Sequence, residues 1–328
     1  MLHENALDRR SFLIAAGAAT AAGLTTAPAR AADAKLFRIG IVGSQNSHSD
    51  AYASLINLEG AGKTTYGEIR VTHLWGEEAK RSAEVAAKCK IPTIVDKVEE
   101  MIGQVDGVIC VRRHGGKHLE DAMPFLKAGI PVYVDKPLAC SVADARAMVA
   151  AAKASHVGFS SFSTLRFAPE TTAYIDALRK DAGPLSAGTS TGHCDPDSEY
   201  GGIFFYGIHA VELASAVFGY GCEYVLAQRH GPNVTAICTY PNDLTVTLQL
   251  LGDAKYVFHL SAYGKDGWKD VEVGTGSAYA AGMNVILATL IEQAWPIDEV
   301  HLVEPIQILA AVELSLKENR RVMLAELG

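Results

Sequence analysis

The chain has 328 residues, of which 49% are hydrophobic and 20% charged, and carries a formal net charge of −8. That balance fits a globular protein of about two domains and argues against a nucleic-acid or anionic-membrane partner. Its six cysteines include no Cys-x-x-Cys pair, which argues against structural zinc, and no apolar segment beyond the first thirty residues is long enough to span a bilayer.

The amino terminus reads as a targeting segment. Asp8-Arg9-Arg10-Ser11-Phe12-Leu13 precedes an Ala/Gly-rich run from Ile14 to Leu24, and Ala29-Arg30-Ala31 offers a small-x-small cleavage site. This order resembles a twin-arginine export signal over residues 1–31. It predicts a periplasmic or secreted mature protein that engages the twin-arginine machinery.

From Leu36 to about Ser160 strands and helices alternate. Strands are expected at Leu36–Val42, Ile69–Leu74, Gly107–Val111, Val132–Val134 and Val157–Phe159. Helices are expected at Ser49–Leu58, Glu78–Lys88, Lys117–Lys127 and Val142–Ser155. Such alternation predicts a doubly wound parallel sheet over residues 35–160, an α/β unit. After Arg166 the pattern changes. Helices are expected at Pro169–Arg179, His209–Phe218 and Pro305–Glu318. Four period-2 stretches, Glu223–Arg229, Val234–Tyr240, Leu244–Leu251 and Tyr256–Tyr263, read as an antiparallel meander. Residues 161–328 are thus expected to form an α+β domain with an open antiparallel sheet, one face covered by helices or a second subunit.

Asp135-Lys136-Pro137 is the sharpest local signal. It closes the apolar run Ile130-Pro131-Val132-Tyr133-Val134 and places a lysine at the carboxyl edge of the sheet, where open α/β sheets bind ligands. The strand ending at Val111 runs into Arg112-Arg113-His114-Gly115-Gly116-Lys117-His118 at the same edge. This basic turn suits a phosphate or a carboxylate.

Three stretches carry a resemblance to the Gfo/Idh/MocA oxidoreductase family. The first runs from Val105-Asp106-Gly107 through His118 and Gly129 to Asp135-Lys136-Pro137, where the family's usual tripeptide is Glu-Lys-Pro. The second is Gly201-Gly202…Gly207-Ile208-His209. The third is Glu313-Leu314-Ser315…Asn319-Arg320-Arg321-Val322. The resemblance implies a Rossmann domain joined to an antiparallel α/β domain that often mediates dimers, so a homo-oligomer is expected. It implies NAD or NADP as cofactor and a sugar or polyol as small-molecule substrate. Lys136 and His209 would be the catalytic pair, Lys136 polarising or relaying and His209 taking the alcohol proton. Gly43, Ser44, Asn46, His48, Arg112, His118, Asp135 and Lys136 would line the cofactor, and Arg166, His193 and Tyr206 the substrate. Because nicotinamide is not free outside the cytoplasm, an exported member is expected to hold its cofactor tightly.

The chain departs from the family pattern at three places. The glycine fingerprint keeps Gly43, but its second and third glycines are Gln45 and His48. The ribose-gripping acid aligns with Gly76, with Glu77 and Glu78 following; if either takes over, NAD is favoured over NADP. The acid four residues before the histidine is Phe205. These losses keep two alternatives open. One is a sugar lyase, isomerase or glycosidase on the same fold, and the other a non-catalytic ligand-binding accessory protein. The loop His193-Cys194-Asp195-Pro196-Asp197 has metal-capable side chains, yet these are too close in sequence to ligate one ion together, and no resident metal is expected.

Overall fold

The computed structural model describes residues 36–328 apart from 61, 65 and 66; the expected export signal lies outside the described residues. The first sheet contains β1 (Phe37–Val42), β2 (Lys63–Thr64), β3 (Gly67–Trp75), β4 (Thr93–Ile94), β5 (Gly107–Cys110), β6 (Val132–Val134) and β7 (Phe159–Ser161). Its order is β2-β3-β1-β5-β6-β7, with β4 also paired to β3, and every pairing except β2–β3 is parallel. Helices α1 (Ser47–Asn57), α2 (Ala79–Cys89), α3 (His118–Lys127) and α4 (Val142–Ala154) make the crossovers. Ile39, Ile41, Val108, Ile109, Val132 and Val134 are fully buried. Continuous apolar runs are what a sheet covered on both faces requires.

The remainder contains α5 (Pro169–Asp181), β8 (Leu185–His193), α6 (Ile203–Phe218), β9 (Tyr224–His230), β10 (Asn233–Thr239), β11 (Thr245–Leu251), β12 (Phe258–Gly264), β13 (Trp268–Glu272), α7 (Ala278–Ile291), α8 (Glu299–Glu318) and β14 (Val322–Met323). The second sheet runs β13-β12-β8-β11-β10-β9-β14. It is mixed rather than the simple antiparallel meander expected, because β8 inserts between β11 and β12 and pairs parallel with β11. The sequence conceals β8 because its inward face reads Gly188, Ser190, Gly192. Helix α6 lies directly on those positions. A Cβ at Gly188 would fall 2.0 Å from Phe218 Cζ, and Ser190 Oγ donates to the Ala210 carbonyl at 2.7 Å. Small residues here are the condition for close packing, not a lack of strand character.

Two helices also differ from expectation. Helix α6 begins at Ile203, six residues before the expected start, because Gly201 and Gly202 hold φ of +108° and +58° and set the turn that launches it. His209 therefore sits in the second turn rather than at the helix start. Helix α7, unforeseen in the sequence, is apolar on nearly every side and carries no clear 3.6-residue stripe. It packs on β5, β6 and β7 of the first sheet, where Thr289 Oγ1 and Ser160 Oγ share a 2.9 Å hydrogen bond. The carboxyl-terminal half thus supplies a layer to the amino-terminal sheet.

Candidate active site

Lys136 leaves the end of β6 and is 5% exposed. Its ammonium lies 5.1 Å from the Phe205 ring centroid and 5.2 Å from that of Tyr206. Burial lowers its pKa from 10.5; the Asp135 carboxylate opposes that shift and the Arg113 charge adds to it. Asp135 is itself buried. His48 Nδ1 lies 2.7 Å from its Oδ2, and Tyr52 donates to its Oδ1 at 3.2 Å. His48 and Tyr52 are four residues apart on α1, so one helix face grips the carboxylate twice. Burial alone would raise the Asp135 pKa, yet His48, Lys136 and His118 outweigh it and hold the carboxyl below its ordinary value.

Helix α6 closes the other side. Phe205 and His209, four apart, face Lys136 together with Tyr206. His209 Nδ1 is 2.7 Å from Ser163 Oγ, and its ring packs against Tyr206 and Phe258. Burial, reinforced by the charges of Lys136 and His48, drives its pKa well below 6.5. The imidazole is therefore neutral at pH 7 and able to accept a proton. The surroundings are aromatic: His193, Tyr206 and Tyr256 pack on one another, and Tyr279 of α7 packs edge-on to His48. His193 Nδ1 is buried without a partner.

The turn after β1 fits a dinucleotide. Gly43 has φ +110°, and a Cβ there would lie 2.8 Å from the Arg112 backbone nitrogen, so the cradle admits only glycine. Asn46 caps α1 by accepting the His48 N–H at 3.1 Å, leaving a helix amino terminus facing the turn. Glu77 supplies the acid missing at Gly76. Its carboxylate accepts the Ser44 N–H at 2.9 Å, which brings it to the turn itself. A Cβ at Gly76 would lie 2.1 Å from Ser44 Oγ, so the acid is displaced by one residue because Ser44 and Ser82 fill that space. His48 does not give the close helix–strand approach of a third glycine; its ring turns inward to Asp135.

The structure reassigns several residues expected to touch ligands. Ser44 is fully buried, and its hydroxyl accepts from Ser82 at 3.2 Å. Arg112 pairs with Glu120 at 2.8 Å and Asp121 at 3.0 Å and lies over Trp75, so its charge is satisfied within the protein. His118 is fully buried with Nδ1 2.8 Å from the Pro137 carbonyl and Nε2 2.8 Å from that of Arg112. Burial lowers its pKa, so the neutral ring carries one N–H and donates to one of these two carbonyls, which ties it to the backbone beside Lys136. Arg166 is buried in an ion pair with Glu212 and donates to Tyr220 Oη at 2.8 Å. Its charge and donors are met within the protein, which makes it a tether between the turn after β7 and α6. Lys136, Asp135, His48, His209, Tyr206 and His193 do converge. Sequence reasoning missed Tyr52, Ser163, Tyr256 and Tyr279. Only Tyr52 left a trace, its i+4 spacing from His48. Among the described residues no group of three or more His, Cys, Asp or Glu is arranged to hold a metal, and no helix is long and apolar enough to cross a membrane.

A parallel doubly wound sheet with a glycine-dependent turn after its first strand, followed by a mixed sheet whose helix α6 brings His209 to the buried Lys136, defines a Rossmann-type α/β unit joined to an α+β unit. Residues 37–162 match the family described as "Oxidoreductase family, NAD-binding Rossmann fold". The 1,5-anhydro-D-fructose reductase of Ensifer adhaerens is 34% identical over 120 residues, which cover 36% of this chain and 35% of that enzyme. Among solved structures, GenD2 from gentamicin A biosynthesis in complex with NAD is similar with a TM-score of 0.75 at 15% identity, over 92% of this chain and 99% of that one. The scyllo-inositol dehydrogenase of Lactobacillus casei, with bound NAD(H) and scyllo-inositol, has a TM-score of 0.76 at 14% identity, over 89% and 100%. At such identities the likeness is one of fold. The family match covers residues 37–162, the parallel-sheet part of the chain, and the chain spans about a third of the length of the curated reductase it matches.

Proposed function

We propose that the protein is a nicotinamide-dependent oxidoreductase acting on a secondary alcohol, or the matching ketone, of a sugar or polyol. The observation that carries this reading is that buried Lys136 and His209 both lie against the Tyr206 ring, the lysine with a lowered pKa and the histidine neutral. The curated relative is a reductase, and L. casei scyllo-inositol dehydrogenase was solved with NAD(H) and a polyol. Gly43, the amino terminus of α1 and Glu77 would hold the cofactor. A carboxylate at the turn suits the ribose diol and repels a 2′-phosphate, which supports NAD over NADP.

When bound, the nicotinamide supplies the hydride acceptor. His209 takes the hydroxyl proton on Nε2, because Ser163 occupies Nδ1 and fixes the ring. Lys136 polarises the same oxygen from the opposite wall, and the Asp135 carboxylate, clamped by His48 and Tyr52, favours the charged form of that lysine. Aromatic walls limit water in the cleft. Export through the twin-arginine route with the cofactor already bound completes the proposal, supported by the residue order from Arg9 to Ala31.

The test is titration of the purified mature protein with NAD and NADP, followed by NADH formation from a panel of sugars and polyols. Lys136→Met and His209→Asn should each lower kcat by about 100-fold or more while NAD still binds. Unchanged turnover in both variants, or no nicotinamide binding by the intact protein, would overturn the reading.

A further inference from the structure

We infer that the substrate of this site carries a carboxylate, making it a sugar acid rather than a neutral sugar, and that Arg113 binds that carboxylate. The inference rests on the oxidoreductase reading and names its substrate class.

Two departures from the family pattern act in the same direction. The acid expected four residues before His209 is Phe205, which removes a negative charge from the substrate side. The turn after β5, where the family has a small residue and a proline, contributes a cation. The structure brings the two changes together. The Arg113 guanidinium carbon lies 4.0 Å from the Tyr200 ring centroid and 5.3 Å from that of Phe205. The Lys136 ammonium lies 5.1 Å from the same Phe205 ring. Two cations thus border one aromatic side chain that stands where an acid is expected.

Neither charge is neutralised by a direct ion pair. Among the described residues no carboxylate lies within 4.0 Å of Arg113 or Lys136, and Arg113 donates only to the neutral Tyr200 hydroxyl, at 3.3 Å. The neighbouring residue shows the contrast, since Arg112 is held by Glu120 and Asp121. Two cations bordering one buried ring, close enough for Arg113 to lower the Lys136 pKa, repel each other unless an anion joins them. A guanidinium offers a planar fork of N–H donors that matches a carboxylate in two parallel hydrogen bonds. Stacking on Tyr200 holds that plane before the ligand arrives, so little side-chain freedom is lost on binding. A neutral sugar would leave the Arg113 charge without an anionic partner, since Asp135 acts on Lys136. A phosphate ester shares the anionic chemistry, but a dianion calls for more donors than this one free fork.

The experiment uses the intact mature protein with NAD and substrate pairs that differ only in the carboxylate: glucuronate against glucose, and galacturonate against galactose. Turnover is read by NADH formation and binding by titration calorimetry. The acid should be preferred in kcat/KM by roughly 10- to 100-fold, the worth of a charge-assisted hydrogen bond. Arg113→Met should erase most of that ratio through KM, Arg113→Lys should retain part of it, and Phe205→Asp should independently shift it toward the neutral sugar. Equal or better use of neutral sugars, preference for a sugar phosphate, or an acid preference that survives in Arg113→Met would each overturn the inference and leave the oxidoreductase reading standing. Arg113-dependent binding of the acid without NADH formation from any sugar would uphold the inference and overturn the redox reading instead.

Discussion

Arg166→Met separates a tether from a substrate ligand. The Arg166 and Glu212 side chains are only 9% and 7% exposed, so solvent screens their attraction little. Replacing the arginine leaves the Glu212 carboxylate buried and unpaired and removes the donor to Tyr220. Breaking a buried pair from one side costs about 3–5 kcal/mol. In a unit of this size each kcal/mol moves the melting temperature by about 2 °C, giving a fall of roughly 6–10 °C. The loss should depend on pH in a definite direction. Burial raises the folded-state pKa of Glu212 above 4.5 even against the Arg166 charge, and removing that charge raises it further. A carboxyl with a raised folded pKa takes its proton in the folded state first, so the deficit is full at neutral pH and shrinks as pH falls toward 4.5. Replacing both partners, as Arg166→Met with Glu212→Leu, should recover most of the stability. Ser163 and Arg166 lie three apart on one turn, and His209 and Glu212 three apart on α6, so the same pair also holds the proton acceptor in place. In the single variant kcat should fall while the substrate KM stays close to wild type. Denaturation followed by circular dichroism at pH 7 and pH 5, with steady-state kinetics, checks both parts. Wild-type stability together with a raised KM would refute the tether and restore Arg166 as a ligand.

Three further outcomes follow from the geometry. The acid limb of kcat/KM against pH should fall below pH 6.5, because His209 is held well below that value, and the alkaline limb should fall below 10.5, because Lys136 is lowered by burial; an acid limb above 6.5 would exclude His209 as the proton acceptor. Glu77→Ala should bring NADP affinity closer to that of NAD by about 10-fold, measured by fluorescence titration of the reduced cofactors, since it removes the carboxylate at the phosphate turn. Gly188→Ala should destabilise by about 1–3 kcal/mol in urea unfolding, because its Cβ would overlap Phe218, and Phe218→Leu in the same chain should restore part of the loss; an unaffected single variant would show that α6 does not pack on β8 as described.

Periodicity and composition were enough to place the alternating half. The strand at Val132–Val134 matches expectation residue for residue, and the other expected strands and helices of this half agree to within about two residues, because an apolar strand followed by an amphipathic helix is a local pattern; the two-residue strands β2 and β4 were not foreseen. Lys136 and His209 were legible for the same reason, each tied to flanking glycines and prolines a few positions away. What failed to show was set by contacts distant in sequence. Strand β8 is recognisable only once Phe218 is known to lie over Gly188, and α7 only once Ser160 is known to meet Thr289. Arg112 and Arg113 are adjacent and chemically alike. Only folding decides that Glu120 and Asp121 satisfy the first while the second stacks on Tyr200 with no acid beside it. By itself, the sequence determined the resemblance to the family, the parallel sheet and the lysine at its edge, because those follow from local spacing. The tertiary structure alone decided which charges are free to meet a ligand, because the partner of each arginine is chosen in space, whether 8 positions away as for Arg112 and Glu120, 46 as for Arg166 and Glu212, or 87 as for Arg113 and the Tyr200 hydroxyl.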